Sequence, residues 1–473
     1  MKTITLLFRS ATSILPACLL LAALAVGKVG AAEANVPAPS PPATNAPAWL
    51  TQPMSLVDAM NIALQQNASI LKGQRDLEAA YGVVVQTKAV ALPKLLGDAG
   101  YTHDEAVEEF PFPVNLPKDK WTGNIRITQS IYEGGRITSA LRAARLTQEQ
   151  ALLQYQAVEA DVLLDVRTVY YNVLLAEQEI IVQKASTNLL TRQLEDTTRR
   201  YEAGTVPRFN VLRAEVELAN ARPRLFRAEN AYVITKNNLV NVLGYNLPTN
   251  IWEDIPLQLT GKLEAEPYEI DLPSAIARAL RNRPELGALR RGEKLRKEDI
   301  VQAKSVTRPS VQLFGGYGAR NNSFTDDFFQ DVSGANAGVQ LSWALWDGNL
   351  TKGRVMQAKA LHERSLVELD DASRGIELEV RTAYSSFLEA RKVLVSLEKV
   401  LEQAEEALRL ANSRYDAGTG TQLDVLSAQT SLTDARSTNV RALREYSVAL
   451  ARLQRAVGWD VVKEPGDERL QRK

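Results

Sequence analysis

The sequence predicts a mainly α-helical chain with a membrane β-barrel portion, in which very long antiparallel helices join a small set of strands, four per chain. Three observations predict it. The chain is written twice, at an internal offset of 214 to 216 residues. Residues 136–203 hold neither glycine nor proline and are rich in helix formers. Finally, two pairs of alternating apolar and polar segments interrupt the helices at equivalent places in both copies.

The duplication is legible residue by residue. Leu56, Ala63 and Leu64 recur as Leu272, Ala279 and Leu280, and Pro93, Gly100 and Tyr101 as Pro309, Gly316 and Tyr317. After the next loop the offset shortens, so that Tyr132-Glu133-Gly134 aligns with Trp346-Asp347-Gly348. The run Arg200-Tyr201-Glu202-Ala203-Gly204-Thr205 returns as Arg414-Tyr415-Asp416-Ala417-Gly418-Thr419, with Val211-Leu212 and Val425-Leu426 following at equal distance.

In chain order, residues 1–32 have a signal-peptide layout: Lys2 and Arg9, an apolar run over 11–26, then Gly30, Ala31 and Ala32. Its removal takes away the single cysteine, Cys18, whose surroundings loosely resemble a lipid-attachment box, together with Lys2, Arg9 and Lys28. The mature chain then has 53 basic and 56 acidic residues. A Pro-rich tether covers 33–54. The first repeat, 55–245, reads as a helix to about 91, strands at about 94–105 and 121–132, a long helix 134–203 and a helix 207–245. A connector spans 246–270. The second repeat, 271–459, reads as a helix, strands at about 310–320 and 335–346, a long helix 348–417 and a helix 421–459, before a tail 460–473.

Each strand has roughly the length that a tilted membrane strand needs. Trp121, Ile125, Ile127 and Ile131 alternate with Thr122, Asn124, Arg126, Thr128 and Ser130; in the twin, Val339, Leu341, Trp343 and Leu345 alternate with Asn336, Gln340 and Ser342. A soluble sheet packed on helices alternates in the same way. Phe110, Phe112, Phe324, Phe328 and Phe329 in the intervening loops favour an aromatic rim in lipid instead. Four strands cannot close on themselves, and an open edge is intolerable in a bilayer, so closure requires further copies. The strand count alone allows eight or twelve.

About 70 residues of unbroken helix make a rod of roughly 105 Å. Val162, Val166, Val169, Val173, Ala176 and Ile180 step by four and three, as do Ile376, Val380, Ala383, Phe387, Ala390 and Leu394, which gives a coiled-coil-like seam. The shorter helices run antiparallel to the rod and stack end to end beside it, leaving the connector near its waist. Gly204 and Gly418 suit the left-handed residue that ends a helix, and Pro207 a first-turn position.

Balanced charge, 56 basic and 56 acidic residues, gives no argument for nucleic acid. A thiol-free mature chain with only His103, read as a strand or loop residue, and His362, read as a solvated helix position, offers no metal set or nucleophile, and no cofactor is expected. Gly315-Gly316 is strand punctuation, not a phosphate cradle.

The doubled Arg-Tyr-x-Ala-Gly-Thr turn followed by Val-Leu, with strand pairs set between helices, resembles the TolC family of outer-membrane efflux proteins over nearly the whole mature chain. The resemblance implies a homotrimer with a 12-stranded barrel among outer-membrane lipids and a trimeric α-barrel crossing the periplasm. It also implies a periplasmic adaptor (membrane fusion) protein and an inner-membrane pump at the far tip, in tripartite efflux or type I secretion. Trp121, Ile125, Ile127, Val339, Leu341 and Trp343 then face lipid. Tyr201, Gly204, Thr205, Gly418 and Thr419 become the adaptor-contact tip, a position that for the glycines a purely structural helix end explains equally well. Tyr415 takes the place of a lock tyrosine and Asp424 that of an acidic ring, with Ser427 where a second ring acid is expected and Gly420 where an arginine lock partner is expected. Asn210 stands for the usual aspartate, and Arg208 and Arg213 lie near enough to pair with Asp424. Asp424 as a plain helix cap, and a non-channel periplasmic scaffold or adaptor for the whole chain, are the competing readings.

Overall fold

The computed structural model describes residues 48–103, 118–246, 255–265, 267–321, 328–329 and 331–458. The expected signal peptide, most of the tether, Phe110, Phe112, Phe324 and the tail lie outside them. A short 3-10 turn at Ala48–Leu50 belongs to a first unit, and residues 52–473 to a second, described from here on.

The second unit opens with β1 (Pro53–Met54), α1 (Leu56–Gln66) and α2 (Ala68–Lys88). Strands β2 (Lys94–His103) and β3 (Asp119–Glu133) lead into α3 (Arg136–Glu202), and α4 (Arg208–Val242) returns. After β4 (Gln258–Leu259) the pattern repeats: α5 (Leu272–Asn282), α6 (Pro284–Ser305), β5 (Ser310–Asn321), β6 (Asp331–Ser342), α7 (Leu350–Asp416) and α8 (Gln422–Val457). The two long helices have 67 residues each, about 100 Å at 1.5 Å per residue.

The structure corrects four expectations. The helix expected from 55 to 91 is two helices, because Asn67 adopts an extended backbone, its side-chain oxygen accepts from Ser69 N at 2.8 Å, and its amide donates to Val242 O at 2.7 Å. The twin breaks at Arg283, since the following Pro284 drives its predecessor out of the helical region. Pro207 precedes α4 as its cap, outside the first turn. Strand β6 starts at Asp331 and stops at Ser342, so Trp343 and Leu345 lie beyond it. There the chain turns into α7 through Gly348 and Asn349, both with positive φ, and Asp347 Oδ2 accepts from Thr351 N at 2.9 Å.

β2, β3, β5 and β6 form one antiparallel sheet in that order, so the repeats meet at the β3–β5 pair. The helices follow the same order. Near the sheet the neighbours run α2, α3, α6, α7, and beyond the waist α4, α3, α8, α7. The first repeat thus supplies one lateral edge along the unit and the second repeat the other.

The anticipated seams are the core. Ile376, Val380, Phe387, Ala390 and Leu394 of α7 pack with Ala442, Tyr446, Ala449 and Leu453 of α8 and with Ala275, Ala279 and Leu286. At the waist the connector is pinned as expected: buried Tyr170 donates its hydroxyl to Met54 O at 3.1 Å and accepts from Gly261 N at 3.1 Å. Buried Arg283 and half-buried Arg455 share Glu285 and Glu379, and Arg455 also reaches Asp161.

Candidate functional site: the amphipathic sheet and the helical tip

Residues opposite one another in an antiparallel ladder share a face. The register puts Leu95, Gly97, Ala99 and Tyr101 beside Ile127, Ile125, Gly123 and Trp121, and these beside Gly315, Tyr317 and Ala319, then Ala337, Ala335 and Ser333. Leu313 and Val339, and Val311 and Leu341, complete the face. No helix covers it: Leu95 is 72%, Ile125 60%, Val339 66% and Leu341 66% exposed. Ile127 is exposed as well, and Trp343, just past β6, is anchored by its indole N–H on Thr307 O at 3.0 Å. Trp121 is half-buried beneath the loop, donating Nε1–H to Phe328 O at 3.0 Å, and Tyr101, Phe328 and Phe329 stack edge to face beside it. Among the described strand residues the only charges on this face are His103, Asp119 and Asp331 at the loop end, and His103 Nδ1 lies 2.6 Å from Asp119 Oδ1. An uncovered, uncharged apolar band bounded by aromatic rings is the surface a bilayer solvates.

At the far end the two hairpins turn identically. Gly204 and Gly418 take φ of +68° and +74°, which explains glycine without reference to any partner. Thr205 and Thr419 return their amide and hydroxyl groups to Arg200 O and Arg414 O, satisfying carbonyls that the helix ends leave open. Tyr201, Gly204, Thr205, Gly418 and Thr419 are all exposed.

Asp424 is the third residue of α8, in a reciprocal capping box with Thr421: its Oδ2 accepts from Thr421 N at 2.9 Å and from the Thr421 hydroxyl at 2.7 Å. These bonds, with the nearby Arg414 charge, hold its carboxyl below the ordinary 3.8. The cap that competed with a ring is therefore present in the protomer. Arg208 and Arg213 form no ion pair with Asp424 among the described residues, which corrects that expectation; the cation acting on it is Arg414. Ser427 shares its exposed face, while Asn210 offers its carbonyl to Gln422 Nε2 at 3.3 Å. Gly420 leaves no room for an arginine without movement, since a Cβ there would sit 3.0 Å from Arg414 Cβ.

Tyr415 uses its ring face. The Arg200 guanidinium lies 4.8 Å from the ring centroid and bonds Asp196 at 2.9 Å and Asp416 at 3.1 Å, tying the tips of α3 and α7 together. Sequence reading missed Arg200 and the buried Gln422, which also donates to Thr197 Oγ1 at 3.1 Å. The repeated Arg-Tyr pair was the available signal for Arg200. His362, expected in solvent, is half-buried, with Nε2 2.8 Å from Glu293 Oε1. No acid, histidine and cysteine group suited to a metal occurs among the described residues.

A family model, outer membrane efflux protein, matches residues 59–245 and 275–459, the two repeats. The outer membrane protein TolC of Vibrio cholerae is 26% identical over 412 residues, covering 85% of this chain and 90% of the relative. Protein CyaE of Bordetella pertussis is 25% identical over 428 residues, covering 89% and 87%. In fold, the chain is similar to the CmeC outer membrane channel of Campylobacter jejuni, at a TM-score of 0.73 and 17% identity, covering 85% of each.

Proposed function

This chain belongs to the outer membrane efflux protein family, and on that premise we propose that it is the outer-membrane channel of a tripartite efflux pump or type I secretion system. It gives solutes passive exit across the periplasm and the outer membrane. The observation that carries this reading is the exposed apolar band on one face of the β2-β3-β5-β6 sheet, which holds no charge between the loop end and the helix end. A non-channel scaffold has no use for it.

Assembly follows from the edges. Strands β2 and β6 run in opposite directions at the two margins, so β2 of a second copy continues the antiparallel ladder on β6. A head-to-tail contact of this kind closes as a ring, and three copies make twelve strands. The helical margins support the same contact: Phe209, Leu212 and Val216 on α4, and Val393, Val400 and Leu410 on α7, are exposed at helical spacing. The hairpin tips, with Tyr201, Gly204, Thr205, Gly418 and Thr419, would meet a periplasmic adaptor and, through it, an inner-membrane pump. Asp424 and Ser427 would face the axis at the narrow end, where three ionised carboxylates attract cations. Tyr415, Arg200 and Asp416 would hold the hairpins closed.

Fractionation of membranes and gel analysis without boiling test this. The protein is expected in the outer membrane as a detergent-stable trimer that conducts in planar bilayers. A monomer that stays in solution without detergent refutes it.

A further inference from the structure

The face of the sheet opposite the apolar band carries a charge pattern that the export reading does not use. Among the described residues it holds Lys94, Arg126 and Arg320 against one carboxylate, Asp98; Lys120 at the loop end has a partner of its own, and Glu133 at the strand end is bound to Arg136. Among the described residues, Lys94, Arg126 and Arg320 have no carboxylate partner. Charge is thus sorted by face, with none in the apolar band and a cationic excess on the other side.

The cations are spread along the wall. Lys120 and Arg320 lie near the loop end, Arg126 at mid-strand in register with Gly316 and Asn336, and Lys94 at the helix end. Glycines keep the surface low. A Cβ at Gly338 would sit 2.7 Å from Phe314 Cζ, and one at Gly318 2.5 Å from Asn124 Oδ1, so these two side chains lie over the glycines of the neighbouring strands. Cations on a lipid-facing surface could be matched by headgroup phosphates. On this face headgroups are out of reach, and only mobile ions remain to balance them.

We propose that the inner face of the strand wall is an electropositive sleeve that draws anionic solutes through the membrane segment. This rests on the export-channel reading, in which that face lines the lumen. The sleeve and the acidic narrow end at Asp424 then oppose one another, and the anion preference belongs to the strand segment alone.

Thiol chemistry tests the sleeve independently of the far tip, because Cys18 is the only cysteine of the chain and falls in the expected signal peptide. Asn336→Cys and Ala337→Cys are neighbours on opposite faces. In trimer reconstituted into lipid vesicles, each is modified with an anionic sulfonate and a cationic trimethylammonium methanethiosulfonate, with rates normalised to 2-mercaptoethanol. At Asn336→Cys the anionic reagent is expected to react faster. Adding Arg126→Gln and Arg320→Gln removes six charges from three copies; the two of the same chain lie roughly 10 and 14 Å from the thiol across the ladder and the other four farther, so that after screening the anion-to-cation rate ratio falls by about threefold. Arg126→Lys with Arg320→Lys is expected to keep the ratio, and Arg126→Gln alone, should the double variant fail to assemble, to lower it about twofold. A ratio unchanged by loss of the arginines overturns the sleeve. Equal reactivity of Ala337→Cys and Asn336→Cys towards both reagents overturns the channel reading beneath it.

Discussion

Ile125 and Asn124 are adjacent in the chain and opposed in the sheet, so one substitution at each separates lipid from lumen. Ile125→Arg places a guanidinium in the band that holds Leu95, Val339 and Leu341. At membrane depth that costs about 2–4 kcal/mol per chain, or roughly 6–12 kcal/mol for three copies sharing one barrel. Asn124→Arg puts the same group across from Asp98 in register, where a cross-strand ion pair returns a few tenths of a kcal/mol. The assay is the temperature at which the detergent-extracted trimer dissociates on unboiled gels, beside the yield in outer membranes. Ile125→Arg is expected to abolish the trimer and Asn124→Arg to leave it near wild type. Equal loss in both variants, or loss in Asn124→Arg alone, refutes the assignment of faces.

The repeat supplies a second paired test: Gly134→Ala forces a Cβ to within 2.5 Å of Ser305 O at φ +62°, whereas at its twin Gly348, φ +65°, nothing lies within 4 Å. Urea unfolding should therefore show a loss of about 1 kcal/mol for Gly348→Ala, the left-handed penalty alone, and a clearly larger one for Gly134→Ala. At the waist, Arg455→Met leaves Asp161 unpaired and Glu285 and Glu379 with Arg283 alone, and because these carboxylates are partly exposed it is expected to cost about 1–2 kcal/mol in the same assay. Burial pushes the Glu285 carboxyl up, but its own backbone N–H and the Arg283 and Arg455 charges prevail and hold it below the ordinary 4.5. A lowered carboxylate stabilises the fold fully above its unfolded pKa and ceases to do so as pH falls through the folded one. The stability gap between wild type and Glu285→Gln should accordingly be full at neutral pH and close in acid; a gap independent of pH would contradict this. At the tip, Arg200→Ala removes the stacking on Tyr415 and the pair with Asp416, and is expected to raise single-channel conductance while lowering stability by less than about 2 kcal/mol. Unchanged conductance would exclude Arg200 from the closure.

The sheet shows how far the residues alone carry. Alternation separated the two faces of β3 from Trp121 to Ser130, where side depends only on parity; the register shift between Ser130 and Tyr132 breaks that parity at Ile131, which the reading had grouped with Ile127. The ends of β6 were less legible: its alternation continues through Trp343 and Leu345, while the strand stops at Ser342, where the backbone turns towards Asn349. Pro284 was a readable break that the first copy does not share. Asn67 breaks its helix through a bond to Val242, 175 residues away.

Sequence by itself determined the duplication, the length of the two rods, the seams from Val162 and Ile376, and the four strands. These depend on contacts within a few residues, where missing glycine and proline, apolar spacing and parity act directly. Tertiary structure decided that no described helix covers the four-stranded sheet, and it decided the lateral order that leaves one repeat at each margin, the burial of Arg283 at the waist beside Arg455, and the seat of Arg200 on Tyr415, 215 positions along the chain. Each of these joins residues whose separation is set by where the chain folds back, and no local pattern encodes that distance.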